Sequence, residues 1–199
     1  MDVILASSSP YRQRLLARLQ IPFRCLAPDV DETRLPNEPP AAMAARLALA
    51  KARSVASSHP DALVIGSDQV AALGNTVMGK PGGYDAAFAQ LRSSAGREVR
   101  FHTGLALHCT ASGFERFHVE PYSVYFRELS DKSIRNYLQM EQPYDCAGSF
   151  KWEGLGIALF ARMAGDDPTS LEGLPLITLT GMLAAAGLPV LSSPRADGP

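Results

Sequence analysis

The chain has 199 residues, 46% of them apolar and 20% charged, with 19 Lys and Arg against 20 Asp and Glu. That is the length of one domain with room for two lobes and a sizeable core, and the composition excludes a disordered tail, a collagen, a coiled coil and a disulfide scaffold. A net charge of −1 excludes the broad basic footprint of a general duplex-nucleic-acid binder, though not a small basic cluster aimed at phosphates.

Val3–Ala6 reads as a short buried strand, followed by a polar turn at Ser7–Ser9. Ser9 suits an N-cap and Pro10 the first position of a helix running to about Leu19, with Leu15, Leu16 and Leu19 inward. Phe23–Leu26 reads as a second strand, before an acidic loop at Asp29–Glu32. Pro39 and Pro40 introduce an Ala-rich helix, about 41–57, that must end before Pro60. Ala62–Gly66 reads as a buried strand delivering Ser67, Asp68 and Gln69. A helix is predicted over Tyr84–Ser94. Two longer strands, Val99–Leu107 and Phe117–Phe126, form a hairpin through Ser112–Gly113. Ser130 caps a helix reaching about Gln139. A glycine-punctuated segment, Gly148–Gly156, precedes a short strand at Ile157–Phe160 and a last helix, about Leu176–Ala186, stopped by Gly187. Early alternation of strands and helices followed by an antiparallel pair predicts a mixed α/β domain with helices on both faces of the sheet. The domain is read as residues 1–191, with 192–199 a disordered tail.

Three widely spaced cysteines, 25, 109 and 146, argue against a disulfide framework and against a zinc site. The start has no basic lead and too short an apolar run for a signal peptide. The uncharged stretch from Gly173 to Pro194 is broken by Pro175, Gly181, Gly187 and Pro189, which suits a buried helix better than a membrane span. These features predict a soluble, cytoplasmic protein.

Four places set charge against the expected pattern, where function is best sought. The hydroxyl-rich turn Ser7–Ser9 leads into a helix N-terminus, which favours an anion; it serves either a phosphate or only the cap. Arg12 lies one turn before Leu15 and Leu16, on the apolar face, and points to the body of the protein or snorkels. Lys51 shares a helical stripe with Met43, Leu47 and Val55, so it either snorkels or meets a partner. Arg46 and Arg53 lie off that stripe and are expected to be solvated. Asp68 leaves the C-terminal end of an apolar strand, where ligands of open α/β sheets gather; it is a candidate general base or metal ligand, or the residue of an Asx turn. The Asp29–Glu32 loop can bring further carboxylates, and hard oxygen ligands beside a phosphate suit Mg²⁺ or Mn²⁺. Finally, Gly148–Gly154 combines close backbone approach with aromatics able to stack on a base, or is a turn with a surface aromatic. His102, His108 and His118 fall in or beside the long strands and pair with no nucleophile motif, which sets aside a serine or cysteine hydrolase.

The strings LASSSPYRQRLL (5–16), PDVDE (28–32), RLALAKA (46–52), IGSDQV (65–70), GKP (79–81), TGLAL (103–107), CAGSFKWEGLG (146–156) and GLPL (173–176) together resemble the Maf-type nucleoside triphosphate pyrophosphatases, the septum-formation-inhibitor-like family, from Ile4 to about Leu188. The resemblance implies an elongated two-lobed α/β protein with a central cleft over a mixed sheet. It implies hydrolysis of a nucleoside triphosphate to the monophosphate and pyrophosphate with a divalent metal. Asp68 would be the proton acceptor. Ser7, Arg12, Lys51 and Lys80 would line the phosphate side, and Glu32 the metal side.

Within the family, the positions that discriminate bases correspond to Tyr11, Gln69 and Glu153. The SDQV and SFKWEG strings are similar to the branch acting on 7-methyl-GTP, although that branch is expected to carry Trp where this chain has Tyr11. An aromatic face attracts the cationic 7-methylguanine ring, and Glu153 can accept from the guanine N1–H and N2–H₂ edge, which uracil and thymine do not offer. Trp152 can share the stacking, although neighbours in a strand point oppositely. The alternatives are a pyrophosphatase for dTTP and UTP or for deaminated purines, and a non-catalytic nucleotide-sensing regulator of cell division. The expected partner is a small nucleotide, with no duplex nucleic acid and no membrane; the resemblance leaves room for a homodimer.

Overall fold

The computed structural model describes residues 1–191; the expected tail at 192–199 lies outside them. Strand β1 (Val3–Ala6) leads into α1 (Pro10–Ala17), followed by β2 (Arg24–Leu26) and α2 (Pro40–Ala56). Next come β3 (Leu63–Leu73), β4 (Thr76–Met78), α3 (Tyr84–Ser94), β5 (Glu98–Cys109), β6 (Phe114–Phe126) and α4 (Asp131–Glu141). The chain closes with β7 (Phe160–Ala164) and α5 (Leu176–Ala185). All seven strands form one mixed sheet in the order β2-β1-β3-β5-β6-β7, with β4 added to the far end of β3. The β1 pairings with β2 and β3 are parallel and the rest antiparallel.

Local chemistry accounts for most of these boundaries. The Ser9 side chain accepts from Arg12 N at the start of α1, with Pro10 in the first turn, and Ser130 accepts from Ser133 N at the start of α4. Helix α1 ends at Ala17, short of the expected Leu19, because Gln20 turns left-handed at φ 54°. The hairpin between β5 and β6 turns at Gly113, as its sequence predicts. The strand expected at Ile157–Phe160 is displaced: Leu155–Leu159 is a 3-10 turn and the strand begins at Phe160. Gly156 N donates to Lys151 O at 3.0 Å in a compact turn that a Cβ at Gly156 would obstruct.

The sheet carries helices on both faces. On one face β1, β3 and β5 pack Leu5, Ile65 and Leu105 against Leu15 and Leu16 of α1 and Leu179 and Leu183 of α5. On the other, Ile4, Val64 and Ala106 meet Ala48, Ala52 and Val55 of α2. A separate apolar cluster around the far end of β3 to β7 joins Phe101, Val124 and Phe126 to α3, α4, Phe150 and Phe160. These two regions are the lobes, and β3 and β5 run through both. Among the described residues no helix is long and apolar enough to cross a membrane, and Cys25, Cys109 and Cys146 are free thiols.

Candidate active site

The site begins with a gap in the sheet. On one side β3 pairs with β5 from Val64 through Ala72. On the other it pairs with β1 only up to Gly66 and with β4 only from Ala71. Residues 67–70 therefore have no strand beside them on that edge. Asp68 was expected at a strand end. It lies instead in the middle of β3, and the strand that ends there is its neighbour β1. A cleft of about 730 Å³ opens at this gap, lined by Ser7, Tyr11, Arg12, Glu32, Lys51, Asp68, Gln69, Lys80 and Glu153 among others. All nine residues singled out in the sequence thus share one cavity.

Helix α2 supplies the central cation. Gly66 and Gly104 sit under it, and a Cβ at either would lie 2.2 Å from Ala48 O or 2.1 Å from Ala44 O. Only glycine permits so close a helix–sheet approach. That approach brings Lys51, only 7% exposed, onto the sheet, where Nζ donates to Asp68 Oδ1 at 2.6 Å. The same ammonium pairs with Glu32 Oε1 at 2.6 Å. Of the two outcomes open for Lys51, the structure takes the partnered one. Arg12 Nε donates to Gly173 O at 2.8 Å, which anchors the guanidinium while its terminal nitrogens make no hydrogen bond among the described residues. Burial pulls the Arg12 value down, opposed by Asp68 and Glu32; an arginine keeps its charge under such shifts. Ser7 is buried, and its Oγ accepts from Ser9 N at 3.1 Å, so it shapes the turn as well as facing the cleft. Lys80 is exposed at the opposite lip, where its charge reaches Glu32.

Glu32 rides on the loop between β2 and α2, and that loop is fastened to α2. Arg46 donates through Nε and Nη2 to Glu38 at 2.6 and 2.8 Å, and through Nη2 to Thr33 O at 3.1 Å. The expectation that Arg46 is simply solvated is therefore wrong. The loop folds back over the helix and brings a carboxylate to it, a contact that helix periodicity does not encode. Arg53 pairs with Glu115 on the surface. The Lys51 hydrogen bond holds Glu32 below the usual carboxylate range. Arg46, with help from Leu35 N, takes Glu38 from an ordinary 4.5 to about 2. A depressed folded value means that Glu38 stabilises the fold fully above the ordinary carboxylate range and loses that contribution as pH falls toward 2. Glu38→Gln is accordingly expected to flatten the acid limb of a stability–pH curve over that window, as read by urea midpoints, with little change in the shape of the curve near neutrality.

The other end of the cleft is built by α1 and the turn at 151–154. Tyr11 lines it, with Arg14 already over one ring face at 5.0 Å from the centroid, so only the opposite face is free to stack. Glu153 and Trp152 lie in a turn rather than a strand, and both line the cleft; strand alternation does not separate them. Gln69 faces the side of β3 away from Asp68. Its Nε2 donates to Ser170 O at 2.6 Å and Leu171 O at 3.1 Å. Ser67 and Thr103 reach the same 3-10 turn, Pro168–Glu172 and Gly173, through Gly173 O and Ser170 O. Sequence reasoning passed over this turn. Its signal was local: Asp167 accepts from Thr169 N in an Asp-Pro-Thr-Ser start, an Asx-type cap legible from spacing.

The donor set suits a divalent cation. Asp68 and Glu32 meet at the Lys51 ammonium, which takes one oxygen of each; Glu32, at 61% exposure, keeps its second oxygen toward the open cleft. Among the described residues no group of three His, Cys, Asp or Glu side chains gathers to hold a metal. A carboxylate such as Glu32, completed by phosphate oxygens and water, matches the way Mg²⁺ is usually bound.

Carboxylates and cations at a breach in an open α/β sheet suit the binding and cleavage of a phosphoanhydride. The chain belongs to the Maf family: residues 2–186 match the family described as Maf-like protein. It is 57% identical over 189 residues to a 7-methyl-GTP pyrophosphatase of Nitrosococcus oceani, covering 95% of each chain. It is 54% identical over 192 residues to one of Thiobacillus denitrificans, covering 96% of each. A third relative with that name, from Polaromonas sp., is 54% identical over 197 residues, 99% of this chain and 90% of its own.

Proposed function

We propose that this chain hydrolyses 7-methyl-GTP to 7-methyl-GMP and pyrophosphate, with Asp68 as general base. The observation that carries the reading is the buried Lys51–Asp68 pair at the sheet gap. It lies in a chain about half or more identical, over nearly its whole length, to proteins bearing that name. The triphosphate lies along the mouth of α1, where Ser7 and the terminal nitrogens of Arg12 meet its oxygens and Lys80 neutralises them from the opposite lip. Lys51 fixes Asp68 through Oδ1 and leaves Oδ2 to accept a proton from the attacking water. Attack at the α-phosphorus forms the new P–O bond as the bridging oxygen departs with pyrophosphate. When bound, Mg²⁺ or Mn²⁺ held by Glu32 supplies charge compensation for the phosphates and a water of lowered pKa. Glu153 accepts from the guanine N1–H and N2–H₂ edge, Gln69 closes the neighbouring wall, and Tyr11 offers its free face to the base. Three free thiols fit a reducing compartment, the cytoplasm in this reading.

The test is pyrophosphate release from purified protein with Mg²⁺ or Mn²⁺, across 7-methyl-GTP, GTP, dTTP, UTP and ITP. Preference for 7-methyl-GTP is expected. A preference for dTTP and UTP, or for ITP, moves the chain to another substrate. Tight nucleotide binding without metal-dependent pyrophosphate release makes it a sensor. In the same panel Glu153→Gln is expected to shrink the margin of guanine over pyrimidine nucleotides by about tenfold or more; an unchanged panel removes Glu153 from base reading.

A further inference from the structure

The hydrogen-bonding edge of guanine is the same set of atoms in GTP and 7-methyl-GTP, so a carboxylate reading N1–H and N2–H₂ separates guanine from other bases but not the methylated nucleotide from GTP. The methyl group changes something else: it leaves the ring with a formal positive charge. A site that prefers the methylated base needs a charge placed to act on the ring as a whole.

Glu172 meets that need. It is the last residue of the 3-10 turn Pro168–Glu172 and lines the same cleft as Tyr11, Trp152 and Glu153. Its backbone is held on both sides. Leu171 O accepts from Gln69 Nε2, and Gly173 O accepts from Arg12 Nε and lies 2.8 Å from Ser67 Oγ. The carboxylate is therefore mounted on a segment pinned to β3 and α1. The side chain is half-buried and makes no hydrogen bond or ion pair among the described residues. The charges acting on it are Glu153, which opposes its ionisation, and Arg18 and Arg14 of α1, which favour it; burial and Glu153 outweigh the arginines and push the Glu172 value up. A half-buried carboxylate with another carboxylate for a neighbour and no cation in contact is an arrangement that a cationic ligand relieves.

We infer that Glu172 is a specificity-determining residue that selects the positively charged 7-methylguanine ring over neutral guanine, in division of labour with Glu153, which reads the edge. The inference rests on the reading of the cleft as a 7-methyl-GTP site.

The experiment compares kcat/KM for 7-methyl-GTP and GTP in the wild-type chain, Glu172→Gln and Glu172→Asp. Competition binding of the products 7-methyl-GMP and GMP is measured alongside. Glu172→Gln keeps the shape and removes the charge, turning one acceptor oxygen into a donor NH₂. The ratio of 7-methyl-GTP to GTP is expected to fall at least about fivefold, through the methylated substrate alone, with GTP held within about twofold. Glu172→Asp is expected to keep most of the wild-type ratio. A Gln variant that lowers both substrates equally, or neither, overturns the role. The binding arm separates the two readings. Charge-dependent preference for 7-methyl-GMP without pyrophosphate release sustains Glu172 and sinks the proposed activity. Turnover of 7-methyl-GTP with equal product binding in all three chains sustains the activity and sinks Glu172.

Discussion

Asp68→Asn is expected to lower kcat by about a thousandfold while the chain still folds, because general-base catalysis contributes on the order of 10²–10⁴. The substitution removes the acceptor for the proton of the attacking water but keeps an oxygen for Lys51, which also retains Glu32 at 2.6 Å. The folding cost should therefore stay within about 2 kcal/mol, the scale of one hydrogen bond to a charged group. A thousandfold in rate is about 4 kcal/mol of transition-state stabilisation, so the loss in chemistry exceeds the loss in stability. Two measurements check it: single-turnover pyrophosphate release with saturating Mg²⁺, and a thermal melt. Wild-type rates of release from the variant would end the assignment of Asp68.

Lys51→Met should behave differently, losing stability and activity together. The Lys51 and Asp68 side chains are 8% and 11% exposed, and removing one partner of a buried pair costs about 3–5 kcal/mol because the other charge is left uncompensated. The lower end is expected, since Arg12 lies close enough to interact with Asp68. Glu32, at 61% exposure, is screened by solvent and adds little to this cost. In a chain of this length about 3 kcal/mol corresponds to a melting point lower by roughly 6–12 °C. Glu32 also loses the Lys51 hydrogen bond that holds it below the usual carboxylate range. Catalytic efficiency should fall by about a hundredfold or more, the scale set by removing one preorganised charge partner of a phosphate. A stable variant with intact kcat/KM would show that Lys51 only fills space.

The contrast between the two variants follows from how the site is built. Lys51 and Asp68 are about equally buried at the gap between β1 and β4 and both line the cleft, Lys51 being carried there by α2, which packs closely over Gly66 and Gly104. In the proposed mechanism Asp68 takes the proton and Lys51 holds that carboxylate in register. The fastening of the Glu32 loop by Arg46 and Glu38 extends the same frame to the second carboxylate.

The order of strands and helices was legible in the chain because local signals were strong. Ser9-Pro10 and Ser130 mark helix starts, Pro60 bars a helix, and Gly113 turns a hairpin. Arg12 and Lys51 were conspicuous because a charge on an apolar helix face needs a partner. What those partners are, sequence could not say. Lys51 meets Asp68 across 17 residues, Arg12 meets Gly173 across 161 and Gln69 meets Ser170 across 101. Hydrogen-bond periodicity along the chain carries no information about such pairs. They form only when strands register and helices dock. The short strand β4 went unread for the same reason, since it is stabilised by pairing with β3 rather than by its own pattern, whereas the 3-10 turn with Glu172 carried a local Asx-type cap that was passed over. The amino-acid order alone determined which residues are out of place in a hydrophobic core. Tertiary packing decided that they converge, because β1 stops at Ala6 and leaves β3 open over residues 67–70.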